Sequence, residues 1–171
     1  MENFTNPVID TSSLPRYEEV EFTKLHSGYW KVLMLSAATV FLILGIVITL
    51  ALIFIEELTP SAIPIVVGFL LIIIISVICS RVSFLKKAYA FRNHDVLLRS
   101  GIFATKTTII PYNRVQHVAL HEGMYSRMLG LASIEVFTAG GSSSDITIPG
   151  LKKDHAEDIK QLLMGKIQKQ L

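Results

Sequence analysis

At 171 residues, with a net charge of +2 and hydrophobic residues making up 51% of the chain, this sequence is too apolar for an ordinary soluble protein of its length. So small a net charge argues against nucleic acid as the main partner, and the lone Cys79 leaves no internal disulfide to form. Outside the apolar region there is a polar stretch of about 30 residues and a C-terminal portion of about 90, enough for one small domain.

Residues 1–31 read as a cytoplasmic tail with an interfacial segment. Met1–Leu25 carries Pro7, Pro15, the cluster Thr11-Ser12-Ser13 and the acidic patch Glu18-Glu19-Val20-Glu21. The patch is read as a solvated tail, with a partner contact as the alternative. A cleaved signal peptide would need a basic start directly before its apolar run, so the first span is expected to act as an uncleaved anchor. Tyr29 and Trp30 fall where a membrane helix meets the headgroups, a place that suits amphipathic rings.

Residues 32–79 are predicted to form a transmembrane hairpin. Val32–Ile55 and Ser61–Cys79 carry no charge, and Glu56-Glu57-Leu58-Thr59-Pro60 separates them. As helices they would reach roughly 36 Å and 28 Å, against a bilayer core of about 30 Å. Lys24 and Lys31 precede the first run, Arg81, Lys86 and Lys87 follow the second, and the loop between has only two glutamates. Positive residues collect on the cytoplasmic side, so a multi-pass protein of the cell membrane with both termini cytoplasmic is expected. Arg81–Lys87 reads as a short basic connector at the inner membrane face. It serves as a topology anchor or, alternatively, as an attraction for anionic lipid.

Residues 80–171 change pattern to short strand-like runs separated by turns. Ala88–Phe91 leads into the turn Asn93-His94-Asp95, and Val96–Arg99 ends at Ser100-Gly101. Thr105–Ile110 is rich in β-branched residues and closes at Pro111, Val115–Leu120 follows, and Ile134–Thr138 alternates. Ile146–Ile148 is expected to stop at Pro149-Gly150, and Met124–Leu129 is placed as one helical turn. Regular runs of this kind point to an antiparallel sheet or small barrel. The chain then ends in a helix. Asp154 and Glu157 resemble a capping box, and Ala156, Ile159, Leu163 and Ile167 form one apolar stripe, while Lys160, Lys166 and Lys169 suit the negative end of the dipole. This helix should close one open end of the barrel. The fold class is therefore α+β: a two-helix membrane hairpin, then an antiparallel β-sandwich or barrel capped by a helix.

Four blocks carry a resemblance. Ile110-Pro111-Tyr112-Asn113-Arg114-Val115-Gln116-His117-Val118, Ser126-Arg127-Met128-Leu129-Gly130-Leu131-Ala132, Phe137-Thr138-Ala139-Gly140-Gly141 and Ile148-Pro149-Gly150-Leu151 resemble, in order and spacing, the bacterial pleckstrin-homology-like (PH-like) domain family. The layout is similar to its YdbS-like branch, small membrane proteins with two helices and one such domain. The resemblance implies a bent sheet of about seven strands capped by a helix. It also implies assembly with itself or with a larger membrane protein carrying repeated domains of this type, and a link to antimicrobial-peptide resistance. No catalytic residues are established for the family, and no metal or cofactor is expected for this chain. Where relatives often carry several basic residues, residues 103–108 have only Lys106, which weakens phosphoinositide-like headgroup binding.

Several constellations invite chemistry. His117 and His121 share a strand face with Glu122 adjacent in sequence, but no further Cys or Asp stands at ligand spacing, so a partly exposed face is preferred to a metal site. Ser126 and Ser142–Ser144 lack a G-x-S-x-G elbow, and an enzyme is not expected. The segment from Gly140 to Ser144 matches no phosphate-loop spacing and is read as a hairpin loop. Arg99, Arg114 and Arg127 each sit beside a turn and are read as internal braces, with an anionic ligand site as the alternative. Arg81, Lys86, Lys87 and Lys106 are the candidate lipid contacts. Met124, Tyr125, Met128 and Leu129 form a partner surface if exposed and a barrel plug if buried.

Overall fold

The computed structural model describes residues 8, 19–139 and 145–168. Most of the N-terminal tail, the serine-rich loop at 140–144 and Lys169 lie outside the described residues. The elements run β1 (Thr23–Lys24), α1 (Gly28–Phe54), a 3-10 turn (Glu56–Ser61), α2 (Ala62–Lys86), β2 (Ala88–Phe91), β3 (Asp95–Ser100) and β4 (Lys106–Pro111). After a second 3-10 turn (Tyr112–Arg114) come β5 (Val115–His121), α3 (Met124–Met128), β6 (Leu131–Thr138), β7 (Ile146–Lys152) and α4 (Lys153–Gln168).

Helices α1 and α2 are apolar on every side, and their large side chains stay uncovered by protein, as a lipid solvent requires. They meet through Phe41 and Phe69, edge to face with ring centroids 6.1 Å apart, and the Phe69 ring lies beside Gly45. The hydroxyls of Thr39 and Thr49 donate to the carbonyls of Leu35 and Gly45 one turn back, which satisfies them without water. Helix α2 does not end near Cys79: it continues through the stretch read as a connector and stops at Lys86. No Pro or Gly interrupts those residues, so nothing there breaks the helix.

All strands pair antiparallel, in two sheets ordered β1-β2-β3-β4 and β5-β6-β7. Between them lies the core, with Val96, Ile134, Val136 and Ile148 fully buried by the alternation of their strands. The stripe of α4 completes it: Ala156, Ile159 and Leu163 are buried, and the helix covers β5, β6 and β7. Asp154 lies inside the first turn of α4 rather than at its cap, where its charge still suits the helix dipole.

Two features depart from the sequence reading. The first is β1. It lies upstream of both membrane helices, yet Thr23 and Lys24 pair with Tyr89 and Ala88, and Leu25 is buried in the core. The domain is therefore assembled from both sides of the hairpin, not from residues 80–171 alone.

The second is Pro149-Gly150, expected to stop its strand. Instead β7 runs on to Lys152, with Ile148 opposite Ile134 and Leu151 opposite Ala132, so two residues face Ser133 alone. This is a β-bulge with glycine in the left-handed region, at φ +67°. The bulge aims the Gly150 carbonyl out of the ladder, where it accepts the His26 N–H at 3.0 Å.

Candidate functional site

A cleft of about 290 Å³ opens where the domain meets the first membrane helix. One wall is α1, through Tyr29, Val32, Leu33 and Ser36. The other is the outer face of β6 and β7 together with His121 and the start of α3. The outer face is polar because the strands alternate: Ile134, Val136 and Ile148 point to the core, which leaves Ser133, Glu135 and Thr147 on the cleft side. Tyr29 packs over the Gly150 bulge, and the Tyr125 and Thr39 hydroxyls hydrogen-bond across the interface.

The segment carrying α3 is held at both ends. Glu122 pairs with Lys153 at 3.0 Å, which pushes the Lys153 pKa up, and the Lys153 N–H donates to the Gly130 carbonyl at 3.1 Å. Gly130 adopts φ +64° and so ends the helical turn as a left-handed residue. Met124 and Met128 remain exposed, and Tyr125 is half-buried against α1. Leu129 is exposed as well, so these side chains do not plug the barrel.

The histidines share a face but not a site. Along a strand, positions four apart are separated by roughly 13 Å, unlike the same spacing on a helix. His117 stacks on Phe137 with centroids 4.2 Å apart, while His121 lies at the cleft and Glu122 is engaged by Lys153. Among the described residues no group of three or more His, Cys, Asp or Glu side chains could hold a metal. Ser126 lines the cleft whereas His117, stacked on Phe137, does not, and no hydrogen bond links the two. Ser142–Ser144 lie outside the described residues.

Of the three arginines read as braces, Arg99 stands over the Phe22 ring at 3.9 Å and so fixes the segment leading into β1. Arg114 and Arg127 are exposed, and among the described residues no hydrogen bond or ion pair engages either guanidinium. Arg92 is the guanidinium that braces a turn: its Nε donates to Asp95 at 2.6 Å, a second donor reaches the other carboxylate oxygen, and its own pKa is raised by that bond. Tyr112, buried, donates its hydroxyl to the Arg92 carbonyl at 2.7 Å. Arg and Asp flanking a predicted turn was the signal that could have found this brace. Only the tertiary structure singles it out from the three others.

The four candidate lipid contacts are engaged in different ways. Arg81 lies over the Trp30 ring at 4.8 Å, and Lys86 donates to the Ile102 carbonyl at 2.6 Å. Lys87 is half-buried, and burial pushes its ammonium pKa down. Lys106 opens β4 opposite Ser100 and lines a smaller cleft with Arg114. The guanidinium of Arg81 over the Trp30 ring is a pairing of amphipathic side chains of the kind that suits a membrane–water boundary.

Two lipid-facing helices carrying a PH-like sandwich define a membrane-associated protein built around one small β domain. Residues 31–167 match the family described as Bacterial PH domain, and the chain belongs to that family. It is also similar to a curated relative, the UPF0699 transmembrane protein YdbS of Bacillus subtilis (strain 168), with 32% identity over 72 residues, 42% of this chain. The match spans 43% of that relative's length, and no solved structure matches this chain.

Proposed function

We propose that the protein is a non-enzymatic interaction module, anchored by a two-span hairpin with both termini in the cytoplasm. It assembles there with sister PH-like membrane proteins, including larger ones carrying repeated domains. One observation carries this reading: β1 and His26 attach the domain just before α1, and β2 continues just after α2. A domain fastened on both sides of its anchor has one pose relative to the bilayer. Neighbouring copies then meet in two dimensions with orientation already set, so weak contacts suffice. The charge bias, with Lys24 and Lys31 at one end and Arg81, Lys86 and Lys87 at the other, supports the cytoplasmic placement. Resistance to envelope stress or antimicrobial peptides is the process we attach to this assembly.

Cross-linking in native membranes, followed by mass spectrometry, tests the reading. Cross-links to further copies or to other PH-like membrane proteins are expected, and recovery of monomers alone overturns it.

A second reading, recognition of anionic headgroups, is favoured by the position of Arg81 and Lys86 on the domain end of α2. Preferential retention of anionic over zwitterionic lipid by the purified chain would support it, and equal retention would remove it.

A further inference from the structure

We propose that α3 is sunk into the leaflet on the domain's side, with Met124 and Met128 among lipid acyl chains. On this helical turn Met124 is 66% exposed and Met128 74%, and a spacing of four places them on one side. Their depth follows from a neighbour. Tyr125, between them, hydrogen-bonds to Thr39 of α1. From Thr39 to the helix end at Phe54 is about 15 residues, or roughly 22 Å at about 1.5 Å each.

A hydrocarbon core of about 30 Å that starts at Phe54 reaches about five residues beyond Thr39, to the region of Met34. Thr39 therefore lies more than one helical turn inside the hydrocarbon, and any tilt of α1 takes it deeper. Trp30 and Arg81 stand at the boundary this places on the domain side. A tyrosine bonded to Thr39 brings α3 to the base of the headgroups, where exposed methionines meet acyl chains instead of water. Arg127, exposed between the two methionines, is suited to reach back to lipid phosphates. The clamp of Glu122 and Gly130 on Lys153 keeps the turn from swinging away.

The inference rests on α1 spanning the bilayer, and the test separates the two. The full chain carrying Cys79→Ser and Met128→Cys is labelled with a fluorophore and placed in nanodiscs of phosphatidylcholine and phosphatidylglycerol. Labels at Ile46, in the middle of α1, and at Lys160, exposed on α4, serve as references. The expected result is strong quenching of the Met128 label by acyl-chain spin-labelled lipid, with quenching by aqueous iodide several-fold weaker than at Lys160. A label at Met124→Cys should behave alike. Iodide quenching equal to that at Lys160, with Ile46 still quenched by lipid, overturns the inference and leaves the span standing. Shielding from both quenchers overturns it in favour of a protein covering α3. An Ile46 label that lipid does not quench removes the span and the inference together.

Discussion

Gly150 lies directly beneath Tyr29: a Cβ at Gly150 would stand 2.6 Å from both the Cβ and the Cγ of the tyrosine. The bulge in β7 and the first turn of α1 thus fit only because one residue has no side chain. Gly150→Ala meets that contact and a backbone φ of +67° together. Left-handed strain and overpacking should cost about 2–4 kcal/mol combined. Thermal melting in detergent should fall accordingly, and amide exchange at His26, whose N–H uses the Gly150 carbonyl, should accelerate.

Leu25 is buried beside Tyr89 in the core although it precedes both membrane helices. Leu25→Ala should destabilise the domain by about 2–3 kcal/mol through the cavity it leaves. The loss should appear in the melting of the β domain, with the helical signal of the hairpin unchanged. No effect on the domain would show that the upstream segment is not part of it.

The Tyr112 hydroxyl is pushed up to about 12, first by burial and then by the nearby Asp95 charge, with Arg92 acting in the opposite sense. An unfolded tyrosine ionises near 10. The folded pKa is the higher one, so this contribution is fully present below about pH 10 and is lost as pH rises toward and through about 12. Burial also pushes the Tyr89 hydroxyl up, so ultraviolet titration of tyrosinate should show late-titrating tyrosines, of which the one near 12 disappears in Tyr112→Phe. That variant should also cost about 1–2 kcal/mol at neutral pH, because the Arg92 carbonyl loses its donor.

The bond between Tyr125 and Thr39 should be measurable as a coupling energy. In a cycle of Tyr125→Phe and Thr39→Val, the two single losses should sum to about 1 kcal/mol more than the loss in the double variant. Strict additivity would mean that α3 does not rest on α1.

The hairpin was legible because crossing lipid is a local demand: an uncharged run of sufficient length meets it whatever the rest of the chain does. The stripe of Ala156, Ile159 and Leu163 was legible for a similar reason, since burial against one sheet leaves a period in the sequence. Strand β1 left no such trace. Two residues, Thr23 and Lys24, have no periodicity, and their partners Ala88 and Tyr89 lie beyond the entire hairpin. Pro149-Gly150 misled because the same dipeptide that ends a strand also builds a bulge, and only the pairing across to Ser133 distinguishes them. The histidine pair shows the same limit: a shared face is a local property, whereas proximity is not.

By itself, the order of residues determined that this chain enters a membrane, that a β domain follows, and that one helix packs upon it, because each depends on neighbours within a few turns of chain. Tertiary structure alone decided that the domain closes around the base of the hairpin, that Arg92 rather than Arg114 or Arg127 holds a turn, and that α3 rests against α1. Those outcomes turn on which distant surfaces meet, and no local pattern of side chains encodes a meeting across two membrane helices.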